Sequence, residues 1–502
     1  GLLLALFVAM ISSTIVSNAL PRIVADLHGS ESGYTWIVVA TLLTTTASTP
    51  IWGKLADLFS KKVLVQAALV IFAGASALAG IAPSMGLLIS ARALQGIGAG
   101  GLTALVQVVI ASMVSPRERG RYSGYIGATF AVATVSGPLL GGLIVDTPWL
   151  GWRWCFYVAL PVAALAFFVL QRTLHLPVVR RQVRIDYLGA ALITSGVSVL
   201  LIWVSLAGTQ FDWGSTTSAL MVAAGVLLLA FAVLTELKVP EPIIPLRLFR
   251  DRTTSLATFA SAMVGVAMFG STVFLSQYFQ ISRGMSPTKA GLMSVFMVGG
   301  LMVSSMLTGR RITQTGRWKR FLVGGMVLTV AGLGLLTTID ESTNLVEVGA
   351  FMALVGVGLG ATMQNLVLAV QNNTAQSDMG TASAVVAFFR TMGGSVGVSA
   401  LGAALAHQVS VHVISGLSAL GITPPSGSGS RSVPDLTSLP APVRAVFEHA
   451  FGVATGHVFL LATPVAAIAL VAVLFIREVP LRLTVEREDE LPTRSAQADA
   501  RA

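Results

Sequence analysis

Gly53-Lys54-Leu55-Ala56-Asp57-Leu58-Phe59-Ser60-Lys61-Lys62 stands between two apolar runs, 34–53 and 63–82, and its reading decides the fold. Each flanking run has about the 20 residues that a helix needs to cross a bilayer. The turn between them holds three lysines and one acid, Asp57. Basic residues crowd into loops on the untranslocated side of a membrane, so the turn marks an inner loop. A second basic turn, Gly309-Arg310-Arg311-Ile312-Thr313-Gln314-Thr315-Gly316-Arg317, closes another apolar run 256 residues further on. The chain therefore carries an internal repeat.

Composition agrees with this reading. Of 502 residues, 54% are hydrophobic and 11% charged, with a mean hydropathy of +0.80; a soluble domain carries about 25% charge. A soluble enzyme, a disordered chain and a disulfide scaffold are excluded. Cys155 is the single cysteine, so neither an internal disulfide nor a cysteine metal cluster is available. Fourteen apolar runs read as spans: 1–20, 34–53, 63–82, 86–113, 122–145, 155–171, 187–208, 217–235, 254–281, 288–309, 321–338, 345–370, 382–406 and 453–475. The run at 1–20 lacks the basic start of a cleaved signal peptide and is read as the first span.

With the first end cytoplasmic, 24 of the 32 lysines and arginines fall in inner loops and the tail, six in outer loops, and Arg92 and Arg390 inside spans. The asymmetry predicts both termini in the cytoplasm and makes the net charge of +10 a topology signal, not a nucleic-acid footprint. Trp149, Trp152 and Trp154 are expected at the outer interface.

The expected fold is all-α and polytopic, with 14 transmembrane helices. The two basic turns align spans 1–6 with spans 9–14, which divides the chain into residues 1–171 (first six-helix bundle), 172–253 (inserted spans seven and eight with their linkers) and 254–475 (second bundle). Residues 409–452 are expected to form a long outer loop with a short helix near 441–450, and 476–502 a disordered cytoplasmic tail. Two such bundles around a cavity are typical of secondary transporters.

The turn from Gly53 to Lys62 resembles the inner loop between the second and third helices of the major facilitator superfamily, with Ser60 in place of a glycine and Lys61-Lys62 as the basic pair. Arg92-Ala93-Leu94-Gln95-Gly96-Ile97-Gly98-Ala99 is similar to the fourth-helix pattern of that superfamily, and Ser136-Gly137-Pro138-Leu139-Leu140-Gly141-Gly142 to the fifth-helix pattern of its antiporters. Gly380-Thr381-Ala382-Ser383-Ala384, Phe389-Arg390-Thr391-Met392-Gly393-Gly394, Asp186-Tyr187-Leu188-Gly189 and Gly284-Met285-Ser286-Pro287 resemble the fourteen-span drug:proton antiporter family.

That resemblance implies a secondary exporter of amphipathic drugs or toxins in a bacterial cytoplasmic membrane. Alternating access, proton antiport, multidrug efflux and hence antibiotic resistance would follow. It implies a gate formed by Gly53, Asp57, Lys61 and Lys62, with Gly309 and Arg317 as counterparts in the second half. A monomer in the lipid bilayer, without cofactor or nucleic-acid partner, is expected. No G-x-x-x-x-G-K-[ST] occurs, so an ion gradient, H⁺ by resemblance, must supply the energy.

Other readings stay open: export of a lipid or endogenous metabolite, a membrane enzyme, or a sensor. A metal-dependent membrane enzyme would need clustered acids at the membrane face, and the acids cluster only in the tail.

Ser12 to Pro21 matches the family's first-helix signature, in which an Asp commonly stands where this chain has Ser12. No acid lies near the middle of a span, so Asp146, near the outer end of span five, is the proton-coupling candidate. An arginine inside a bilayer is costly unless polar partners surround it, so Arg92 and Arg390 should face a cavity or a polar network. Ser12, Asn18, Gln95, Gln277, Gln364 and Asn365 complete the candidate substrate-cavity residues. Gly137, Pro138, Gly141 and Gly142 form a candidate hinge, because proline removes a backbone hydrogen bond inside the bilayer.

Overall fold

The computed structural model describes residues 1–27, 31–147, 149–174, 186–208, 210–422 and 440–481. The described chain is built from α1 (Leu2–Asp26), α2 (Glu31–Leu58), α3 (Lys61–Gly80), α4 (Met85–Met113), α5 (Pro116–Asp146), a short α6 (Trp154–Tyr157), α7 (Ala159–Thr173), α8 (Tyr187–Leu206) and α9 (Thr216–Glu236), and then from α10 (Arg252–Gln277), α11 (Pro287–Thr315), α12 (Lys319–Leu336), α13 (Leu345–Asn373), α14 (Met379–Ala419) and α15 (Ala441–Leu474). Boundaries follow local chemistry. Pro116 and Pro287 occupy first-turn positions, where a missing N–H costs nothing. Asp186, Ser215, Asp251 and Asn344 cap α8, α9, α10 and α13 with side-chain oxygens. Gly316, at φ 71°, ends α11 in the left-handed region that favours glycine.

Twelve helices among the described residues are long and apolar enough to cross a membrane, against the fourteen expected. The shortfall lies at the start of the chain. The described apolar part of α1 is a shorter stretch, Leu2–Val16. In α2 the polar run Thr44-Thr45-Thr46, Ser48 and Thr49 dilutes the hydropathy.

The outer loop also differs from expectation. α14 continues to Ala419, and the short helix expected near 441–450 is the start of the 34-residue α15. At 1.5 Å per residue the 41-residue α14 is about 60 Å long, twice a bilayer core of about 30 Å, so it projects beyond the membrane. The remainder of that loop, 423–439, and the tail from 482 lie outside the described residues. Of the three tryptophans, Trp149 and Trp154 are exposed, but Trp152 is buried and its indole N–H donates to Asp26 at 2.9 Å. A buried indole needs an acceptor, and here it fastens the end of α1.

Packing repeats between the two halves. In α4, Gly96 and Gly100 lie against Thr41, Thr44, Thr45 and Ser48 of α2, while Gly98 lies against Ala68 and Phe72 of α3. In α13, Gly356 and Gly360 lie against Met297 and Leu301 of α11, while Gly358 lies against Gly325 and Thr329 of α12. A Cβ at any of these six positions would overlap its neighbour, so the glycines set how closely the backbones approach. Likewise α5 packs on α1 through Gly137 against Thr14, and α14 packs on α10 through Gly393 and Gly397 against Ala262 and Val266. Two large apolar cores result. One runs through α10–α15; the other fills α1, α3, α4 and α7.

Candidate functional site: a seam between the halves and two buried arginines

The hydrogen bonds that join α1–α7 to α10–α15 gather at the end carrying the basic turns. Asp57, in the last turn of α2, accepts from the Gly380 N–H at 2.7 Å and from the Thr381 N–H and hydroxyl, both at 2.8 Å. It thus caps α14 from the opposite half of the molecule, where a carboxylate meets the positive end of the helix dipole. Gly53, one turn earlier, lies against Gly380 and Ala384, with no room for a side chain.

The counterpart crossing joins α5 to α11. Gly309 and Gly120 meet backbone to backbone, and Gly124 and Gly127 lie against Met306 and Ser305. Ser305 donates to the Ser123 carbonyl at 3.2 Å, and Arg117 donates to the Thr313 and Gln314 carbonyls, each at 2.9 Å. Arg119, buried, donates to the carbonyls of Ala111 and Val114 and reaches Gln371 of α13 at 3.5 Å. Behind this seam is a void of about 10 Å³ beside Gly127, Phe130, Ser305 and Gln364, room for one water molecule at most.

The residues expected to form a gate divide by position. Gly53, Asp57 and Gly309 lie in the seam. Lys61 acts on Asp57 through its charge, while Lys62 donates to the Gln171 carbonyl at 2.8 Å within its own half. Arg317 is exposed at the turn after α11.

Ser12, Arg92 and Gln95 do come together. Arg92 donates to Gln95 Oε1 at 2.5 Å, and the Gln95 amide donates to Ser12 Oγ at 2.9 Å and Ser76 Oγ at 2.7 Å. All four residues are buried, between α1, α3 and α4. The Arg92 Nε has no hydrogen-bond partner among the described residues. The cluster is an internal polar network of the first half, and Gln95 stands between the guanidinium and the position where a carboxylate is absent.

The remaining candidates are not linked to one another by the described hydrogen bonds. Arg390 is buried in α14 with one terminal nitrogen lacking a hydrogen-bond partner among the described residues. Asn365 donates to the Ala361 carbonyl of its own helix at 2.6 Å. Gln277 is half-buried at the end of α10, just before a π-turn at Tyr278–Ser282. The side chains of Asn18, Pro138 and Asp146 lie outside the described residues. α5 runs unbroken past Gly137 and Pro138, with Gly141 buried and Gly142 half-buried. Thr14 of α1 donates at 3.2 Å to the Ala133 carbonyl, next to the carbonyl that Pro138 leaves without its helical donor.

Sequence reading missed Gly120, and it used Arg117 and Arg119 only to count loop charge. A signal was present: Gly120, Gly124 and Gly127 recur at three- and four-residue spacing, a small-residue stripe ready for another helix.

Repeated helix packing, a seam confined to one end and buried charge in each half are the features of a membrane transporter built from two related halves. The chain belongs to the Major Facilitator Superfamily, whose family model matches residues 2–398. It is 34% identical over 405 residues to the multidrug transporter protein MdtP of Bacillus subtilis, an alignment covering 81% of this chain and 74% of that protein. It is 33% identical to the efflux pump dotC of Dothistroma septosporum, covering 97% of this chain and 84% of that one. An uncharacterized MFS-type transporter of Mycobacterium tuberculosis is 35% identical over 98% of this chain and 71% of its own length. Among solved structures, the fold is similar to that of the proton:xylose symporter XylE, with a TM-score of 0.61 at 14% identity, covering 95% of this chain and 94% of that one.

Proposed function

We propose that this transporter exports amphipathic small molecules from a bacterial cytoplasm or inner leaflet in exchange for protons, by alternating access. The observation that carries the reading is the seam at the basic end. Asp57 on the α14 N-terminus and Gly309 on Gly120 close one end with bonds few enough to break in each cycle. The multidrug transporter and the efflux pump among its relatives support export as the direction.

The reading takes the chain as fourteen spans, with α1 and α2 completing the twelve. It divides them into bundles at 1–171 and 254–475 joined by an inserted pair within 172–253, with the basic end and both termini cytoplasmic. The protein acts as a monomer without a cofactor. Asp146 is the first candidate for proton coupling, and Asp146→Asn should abolish substrate-driven proton flux in liposomes; unchanged flux removes that assignment. The function itself is tested by dye or drug efflux from cells making the protein. Efflux that stops when a protonophore is added supports it, and efflux indifferent to the protonophore contradicts proton coupling.

A further inference from the structure

The inserted pair, α8 and α9, ends beside the gate in a group of buried charges that the transport reading leaves without a role. Asp186 caps α8 through one carboxylate oxygen, which accepts from the Gly189 N–H at 2.7 Å. Its other oxygen is buried without a hydrogen-bond partner among the described residues, although the residue is only 7% exposed. Glu236, closing α9 and 6% exposed, accepts from the Ile243 and Ile244 N–H groups at 3.0 and 3.1 Å. The orphan oxygen of Asp186 and Oε1 of Glu236 converge on Gly189, where a Cβ would overlap the first and come 3.0 Å from the second. Lys54 of α2, 6% exposed, acts on Glu236 through its charge while donating to Glu241 at 2.6 Å.

We propose that Asp186 and Glu236 are a proton-binding carboxyl pair, tied to the gate through Lys54. An acceptor buried without a donor is costly, and two carboxylates so close cannot both ionise cheaply. One proton held between them removes both costs: a carboxyl O–H supplies the missing donor, and a single negative charge remains. Release of that proton to water at the basic end leaves two carboxylates and adds a charge that competes with Glu241 for Lys54. Lys54 lies on α2 between Gly53 and Asp57, the residues that hold the seam, so the pair's charge bears directly on the gate.

Among the described residues, the other charged groups facing this site have partners or lie apart. Asp57 is bound to α14, Lys238 at the end of α9 is exposed, and Asp378 before α14 pairs with Arg247 at 2.9 Å. Arg390, on the α14 that packs against α8, is buried further along that helix. The small Gly189 is what lets the two carboxyls converge, which gives the Asp186-Tyr187-Leu188-Gly189 opening of α8 a chemical reason. This inference rests on the proton-coupled reading for its purpose, but proton binding is measurable without transport.

The test uses the full purified chain and infrared difference spectroscopy over a pH series. The wild type should show a protonated-carboxyl band that is lost on raising the pH. Asp186→Asn keeps the cap and puts an amide N–H where the shared proton was, and Glu236→Gln keeps one of its two backbone hydrogen bonds while removing the titrating carboxyl, so each should lose the band. Lys54→Met should keep it and move its titration to higher pH by about one unit or more. A band unchanged in both amide variants overturns the proposal, as does a Lys54→Met titration identical to wild type. Efflux from liposomes, measured alongside, separates the two readings: a titrating pair in a protein that exports none of the probes counts against the transport function and leaves the proton site standing.

Discussion

Asp57→Asn should loosen the seam without unfolding the protein. The carboxylate accepts three hydrogen bonds from the first turn of α14, at 2.7 to 2.8 Å. Asparagine keeps one acceptor oxygen but turns an N–H₂ towards groups that are themselves donors, and it loses the charge that favoured the helix N-terminus. Losing one to two charge-assisted bonds at about 1.5–3 kcal/mol each, partly recovered by water as the seam opens, leaves a weakening of about 2–4 kcal/mol. At 1.4 kcal/mol per factor of ten, the ratio of closed to open basic ends should fall by roughly 30- to 1000-fold. Spin labels placed across the α2–α14 seam should report a longer, broader distance distribution, and efflux should slow strongly at normal expression. Unchanged distances together with wild-type efflux would refute the claim that Asp57 holds the gate.

Three other perturbations follow from the same geometry. Gly309→Leu puts a side chain into the backbone contact with Gly120, so the basic end should stay open and export should cease in a protein that still reaches the membrane, checked by distance measurement across α5 and α11. Ser12→Asp places a carboxylate beside Gln95 and Arg92 and supplies the counter-charge the buried cluster lacks; stabilisation of about 1–3 kcal/mol is expected, read as a higher unfolding temperature in detergent, and a lower one would contradict it. Buried Arg390, with no acid paired to it among the described residues, should favour neutral or anionic amphipaths over dications. Tightest binding by a dication, retained in Arg390→Ala, would sink that argument.

Twelve of the apolar runs and the basic turns between them were legible because hydropathy and charge act locally along the chain. Of the cavity candidates, Ser12, Arg92 and Gln95 meet in the structure, since a buried arginine has to find polar company. A second repeat was present but unused. Gly96-Ile97-Gly98-Ala99-Gly100 and Gly356-Val357-Gly358-Leu359-Gly360 serve the same two neighbours in each half, and their common spacing was the signal. The junction of Lys54 with Asp186 and Glu236 could not be read, because it joins residues far apart in sequence through the docking of the inserted pair on α2. Trp152 was misplaced for a related reason: adjacent tryptophans share a composition but not a face, and only tertiary packing supplied the Asp26 acceptor.

The most direct measurement is transport by the purified chain in liposomes carrying an imposed pH gradient. The account predicts movement of an amphipathic probe against its own gradient, driven by protons moving the opposite way, abolished by a protonophore and strongly reduced in Asp57→Asn. Probe movement equal to that of empty liposomes, or movement that proceeds equally without a pH gradient, would contradict it.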